Sequence, residues 1–246
     1  MRYDDLHSLV LHVRPYRETS AIIQFFTREQ GLLRAVMRGV RGGRKSSPVQ
    51  AFACGSLSCY GRGDLLTVTR FEARNAIILH GNLLSAGFYV LEITSRLLQT
   101  QQAEPEIFDI TMDVLFALQR NGEVVAALRP YETRLLELLG YGVDYLHDAR
   151  SGDAVQPEHT YRFEAETGFI LCDPANTADS RQSAASSGSA CFSGAVLRAI
   201  QAGDLSTPKV RQAAGLINRQ CLAPLLGSKP LVSRQLWASP GDTPSA

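Results

Sequence analysis

The chain has 246 residues, 45% of them apolar, with 25 Lys and Arg against 24 Asp and Glu. That length and apolar content predict an ordinary globular protein with a core large enough for one large domain or two small ones. No apolar run approaches the roughly 18 residues that span a bilayer, and the first ten residues lack the basic and apolar regions of a secretory signal, so a membrane or secreted protein is excluded and a cytoplasmic location expected.

Residues 1–75 hold twelve Lys and Arg against six Asp and Glu, whereas the remainder holds thirteen against eighteen. A basic first part joined to an acidic second part points to an anionic partner for the first part alone. Only three lysines occur, so nearly every positive charge is a guanidinium, able to grip phosphate bidentately and to stack on bases. The five cysteines, Cys54, Cys59, Cys172, Cys191 and Cys221, are odd in number and scattered, which reads as reduced thiols.

In chain order, the first 75 residues alternate at period two between turn signals, as half-buried strands do. Leu9, Leu11 and Val13 are expected on one face of a first strand ended by Pro15. A second strand is expected over Ala21 to Thr27, a turn over Arg28 to Gly31, and a third strand over Leu32 to Arg38. A loop rich in Gly, Arg and Ser runs from Gly39 to Pro48, followed by strands near Phe52 to Tyr60 and Leu65 to Ala73. Five short strands fit a small closed barrel. The OB-fold is the five-stranded barrel used for oligonucleotides, though an SH3-like barrel has the same count.

Beyond His80 the period becomes helical. One helix is expected from Asn82 to Gln101 with Leu84, Phe88, Leu91 and Leu98 on one face. A second opens at Pro105 and stops at Asn121-Gly122, and a third runs from Glu123 to Leu139 with Pro130 kinking or dividing it. Ser206-Thr207-Pro208 opens a long helix closed by Gly227. Between these, residues 143–192 depart from both patterns. Thr160 to Leu171 resembles two short strands, and Ala175 to Ala190 is a polar stretch expected to be a mobile loop. The fold class is therefore α+β and multidomain, with a barrel domain over 1–80, a mainly helical domain over 81–237 and a disordered tail over 238–246.

Arg34, Arg38, Arg41, Arg44 and Lys45 form the most informative cluster, with no acidic residue between Gln30 and Gly63. Arg34 and Arg38 share one face of a strand, and the glycines that follow let backbone approach phosphates closely, so these five are the candidate DNA-binding residues. Tyr16, Phe25, Phe26, Phe52, Tyr60 and Phe71 are candidate stacking platforms, with Phe25 and Phe26 on opposite faces of their strand.

Enzyme signatures fail in turn. Gly39 to Ser46 looks like a phosphate loop, yet Arg44 stands where the glycine before the lysine is required. The five histidines are dispersed, and no nucleophile elbow or zinc-protease helix occurs. Neither catalytic residues nor a cofactor is expected. A zinc site wants paired Cys-x-x-Cys knuckles, and only single cysteines are present.

Several stretches together resemble the RecO family of recombination mediators. Leu11 to Ser20, Phe26 to Gly31 and Arg38 to Arg41 look like its N-terminal barrel, Leu139-Gly140-Tyr141-Gly142-Val143 resembles its mid-chain signature, and Leu226 to Arg234 its C-terminal one. The resemblance implies an OB-fold that binds single- and double-stranded DNA, anneals complementary strands and works with RecR to load RecA onto strands coated by single-stranded DNA-binding protein (SSB), without catalysis and in association with the nucleoid. Many relatives carry a four-cysteine zinc motif after the mid-chain signature. Here His147 to Arg150 and Cys172 to Ala175 stand in its place, so residues 143–192 are expected to form a degenerate zinc-finger-like segment without metal. The resemblance also implies capture of the acidic SSB C-terminal tail by the helical domain. Arg129, Tyr131, Arg134, Arg219, Lys229 and Arg234 are the candidates for an apolar pocket rimmed by cations. Two alternatives stay open: an RNA-binding or translation-associated barrel, distinguished by DNA and RNA competition, and a pure protein adaptor, distinguished by the absence of salt-dependent DNA affinity.

Overall fold

The structure, a computed structural model, describes residues 1–40, 49–172 and 190–237. The Gly39 to Pro48 loop is therefore described only at its start. The Ala175 to Ala190 stretch, except Ala190, and the 238–246 tail lie outside the described residues.

Five strands form a closed barrel in the order β1-β2-β3-β5-β4: β1 (Arg2–Tyr16), β2 (Ser20–Thr27), β3 (Gly31–Met37), β4 (Ala53–Tyr60) and β5 (Leu66–Ala76). The β3 and β5 strands pair in parallel, and β1 closes the barrel on β4. This is the OB-fold order, which decides between the two barrels that strand count left open. Leu6, Val10, Ile23, Phe25, Leu33, Ala35, Leu57 and Leu66 fill the interior.

The expectation that Leu9, Leu11 and Val13 share a face is corrected by a bulge between Val10 and His12. One extra residue in β1 reverses the alternation beyond it. Val13 therefore packs with the interior, while Leu9 lies opposite Phe26 on the outer face. Pro15 does not end the strand, since Pro15 and Tyr16 still pair with Ala21 and Ser20. The β2–β3 turn needs glycine for two reasons. Gly31 has φ of 67°, and a Cβ there would stand 1.8 Å from the Gln102 carbonyl oxygen.

The chain divides into two compact units. The first joins the barrel to α1 (Gly81–Leu97), α2 (Pro105–Asn121) and the segment from Lys229 onward, which includes a 3-10 turn at Ser233–Trp237. The α1 helix is buried over Ser85, Ala86, Gly87, Tyr89, Val90, Leu91, Ile93 and Thr94, more broadly than one stripe of leucines predicts. It packs against barrel, α2 and the C-terminal segment together, so most of its circumference meets protein. Glu92 on α1 receives the Val232 and Ser233 N–H groups at 3.0 and 2.8 Å and the Ser233 hydroxyl at 2.7 Å. Arg96, one turn on, donates to the Lys229 and Pro230 carbonyls.

The second unit holds α3 (Val124–Leu138), a three-stranded sheet ordered β7-β6-β8, α4 (Gly194–Gln201) and α5 (Pro208–Leu226). Its strands are β6 (Thr160–Glu164), β7 (Gly168–Leu171) and β8 (Cys191–Ser193). Pro130 lies inside α3 without dividing it. The helix ends in a Schellman motif: Gly140 takes φ of 84°, Tyr141 N–H reaches Leu136 O at 2.8 Å and Gly140 N–H reaches Glu137 O. Thr207 caps α5 by accepting from Val210 N–H at 3.3 Å.

Within residues 143–172, β6 and β7 are the two short strands that Thr160 to Leu171 resembles. The buried Asp148 carboxylate accepts from the Arg150 and Ser151 N–H groups of its own turn and from Leu171 N–H of β7. One carboxylate thus ties the 148–151 turn to β7. Among the described residues no three His, Cys, Asp or Glu side chains converge on a point.

Burial alone would push the Asp148 pKa up, but the three N–H donors outweigh it and hold the carboxyl below its ordinary range. Its stabilisation is therefore complete above the unfolded pKa and fades as pH falls through the lower folded one. Replacing Asp148 by Asn is expected to cost about 2 kcal/mol at neutral pH. The gap between variant and native chain should close on acidification, as read from denaturant midpoints across pH.

Candidate nucleic-acid interface

Strand register sorts the outer surface of the barrel into rows. Leu9, Phe26 and Leu32 form one row across β1, β2 and β3, and all three are fully buried. The Phe26 ring meets Phe108 of α2 with centroids 5.3 Å apart in an edge-on contact. Burying side chains of this size contributes roughly 1.5 to 3 kcal/mol each. This row therefore carries the helices.

The next row, two residues along β2 and β3 and three along the bulged β1, is His12, Gln24 and Arg34. The one after it is Arg14, Ile22 and Val36, continued by Thr67 of β5 and Tyr60 of β4. His12, Arg14 and Arg34 are exposed and Tyr60 is half exposed. Arg38 is exposed just past the end of β3. In the tight turn from β1 to β2, the Arg17 guanidinium stands 5.2 Å from the Tyr16 ring centroid. Neither open row contains a carboxylate.

Of the five sequence-predicted DNA contacts, Arg34 and Arg38 belong to this open face, while Arg41, Arg44 and Lys45 lie outside the described residues. Most proposed stacking rings are occupied elsewhere. Phe25 packs inside the barrel against Phe71 at 5.5 Å, Phe26 is covered by α2, and Phe52 meets Phe88 at 5.0 Å. Tyr16 and Tyr60 keep exposed surface. His12, Arg14, Arg17 and Gln24 were missed by sequence reasoning, because a run of clustered cations draws attention while their shared face depends on the bulge and the cross-strand register.

The six candidates for tail capture are divided between the units. Arg129, Tyr131, Arg134 and Arg219 lie in the second, Lys229 and Arg234 in the first. Tyr131 is buried within its unit. Arg129 bonds the buried Glu132 at 2.6 Å, and Asn218 of α5 donates to the same carboxylate and to the Arg129 carbonyl. Gly215 makes room for this guanidinium, since a Cβ there would approach it to 2.7 Å. Arg134 pairs with Glu137 at 2.9 Å, whereas Arg219, Lys229 and Arg234 are exposed. A 740 Å³ cleft in the second unit is lined by Tyr141, Val143, Phe163, Phe169 and Leu225. Its rim includes Asp144 and Glu166, the wrong sign for a carboxylate-ended peptide.

Barrel order and open cationic rows define an OB-fold protein with a helical extension. Residues 1–77 match the model of the Recombination protein O N-terminal domain, and residues 80–235 match that of the C-terminal domain. The chain is 38% identical over 231 residues to DNA repair protein RecO of Haemophilus influenzae, covering 93% of each chain. It is 38% identical over 235 residues to the RecO of Actinobacillus succinogenes, again covering 93% of each. The RecO of Pseudoalteromonas translucida is 34% identical over 242 residues, covering 97% of this chain and 99% of its own. The chain belongs to the RecO family of DNA repair proteins.

If Arg14 and Arg34 each neutralise a phosphate, replacing both by Ala should flatten the slope of log affinity against log salt on single strands by about 1.4. Replacing Arg41, Arg44 and Lys45 together should flatten it by about 2. The slope is measured by titrating labelled oligothymidine at several salt concentrations, and an unchanged slope removes the substituted residues from the interface.

Proposed function

We propose that this protein is a non-enzymatic recombination mediator. It binds single- and double-stranded DNA through the open rows of its barrel, anneals complementary strands and helps RecR load RecA onto SSB-coated single strands. The observation that carries the reading is the row of His12, Gln24 and Arg34 beside that of Arg14, Ile22 and Val36, which holds exposed cations and no carboxylate. Guanidiniums on rigid strands hold phosphates in place without reading bases, as strand annealing of arbitrary sequence requires. Tyr16 and Tyr60 supply flat faces for bases. The partnership with RecR and RecA comes from the family resemblance, as does a cytoplasmic, nucleoid-associated location.

The acidic SSB tail calls for cations free to meet a carboxylate. Arg219, Lys229 and Arg234 are exposed and fit that role better than Arg129, whose guanidinium is committed to Glu132. Arg129→Ala would strand a buried carboxylate and report on stability instead.

One annealing assay tests both parts. Complementary strands coated with intact SSB should anneal in the presence of the protein. Strands coated with SSB lacking its acidic tail should anneal more slowly, and Arg219→Ala with Lys229→Ala should reproduce that slowing, by about tenfold for each charge-assisted hydrogen bond lost. No annealing on intact SSB would contradict the mediator reading, and indifference to the tail would contradict tail capture.

A further inference from the structure

We propose that Cys172 and Cys191 are a redox modification site, a thiol pair that a hydroperoxide converts reversibly to a disulfide. Their sulfur atoms are 3.8 Å apart although the residues are 19 positions apart in the chain. The sheet brings them together. Cys172, just past β7, donates its N–H to Thr160 O of β6 at 2.9 Å, and Cys191 opens β8 opposite Arg162 of the same strand. Both thiols thus flank one short stretch of the central strand. Cys191 is exposed and Cys172 partly so, whereas Cys54, Cys59 and Cys221 are buried.

Two thiols this close in space can be oxidised to a disulfide. Burial and the neighbouring Cys191 sulfur push the Cys172 thiol up to about 11, so it stays protonated at neutral pH. The exposed Cys191 is the sulfur that meets the oxidant. It attacks one peroxide oxygen; an S–O bond forms, the O–O bond breaks, and the departing hydroxide takes the thiol proton as water. The Cys172 sulfur then attacks the Cys191 sulfenic sulfur; an S–S bond forms, the S–O bond breaks, and a second water leaves with the Cys172 proton. Two thiols and one hydrogen peroxide give one disulfide and two waters, with two electrons passing from sulfur to peroxide. A dithiol reductant reverses the change. The bridge ties β7 to β8 across β6 and closes the chain between them, which raises resistance to unfolding by restricting the unfolded chain.

The test uses the full native chain. After brief exposure to hydrogen peroxide, free thiols are alkylated before unfolding and the protein is digested with trypsin without reduction. Arg162, Arg181 and Arg198 place the two cysteines in separate peptides, 163–181 and 182–198. The expected product is these two peptides joined and two hydrogens lighter than their sum, released by dithiothreitol, with a higher thermal midpoint for the oxidised protein. In Cys191→Ser the joined species should vanish. Independent alkylation of both thiols, separate conversion to sulfinic acids, or a joined species that runs as a covalent dimer on a non-reducing gel would overturn the proposal.

Discussion

The register between β1, β2 and β3 is the constraint on which the rest depends. Side chains repeat every second residue along a strand, so neighbouring outward rows lie about 7 Å apart and share one barrel wall. One row, Leu9-Phe26-Leu32, is apolar and buries itself against helical cover. The next row carries His12, Gln24 and Arg34, and the one after it sets the exposed Arg14 beside the half-buried Ile22 and Val36. A slip of one residue would send Phe25 outward and Arg34 into the barrel, so the packing that stabilises the wall also fixes which cations face solvent.

The motifs that carry the family resemblance turn out to be structural devices. Leu139-Gly140-Tyr141 stops α3 through a left-handed glycine and a bond from Tyr141 back to Leu136. The Leu226 to Arg234 stretch supplies the backbone groups that Glu92 and Arg96 hold against α1. Gly31 lets the barrel turn lie against the backbone of Gln102. Each solves a backbone problem that few residues can solve, which is why such motifs are visible in a sequence. Phosphate binding is less demanding, since any guanidinium on the right face serves.

This difference explains what was legible. Period-two alternation located all five strands, and caps such as Pro105, Gly122 and Thr207 located the helices. The Leu11 bulge left no local signature, so Leu9 and Val13 were placed on one face when they occupy two. Phe26 was correctly placed opposite Phe25, but only the partner helix shows that its outward ring is covered. The short α4 follows a Ser, Ala and Gly stretch without a side-chain cap and was not anticipated. Asp148 could not be singled out, because its three N–H donors come from a turn and from a strand 23 residues away. Arg14 became a site residue only when pairing set it beside Ile22 and Val36.

Photocrosslinking the native protein to a single strand carrying 5-iodouracil, followed by mass mapping of the attached peptide, tests most directly whether DNA lies on the open rows. The account predicts attachment within residues 12–38 or at Tyr60, with Tyr16 among the modified side chains. Attachment confined to the second unit, with the barrel unmodified at saturating DNA, would contradict it.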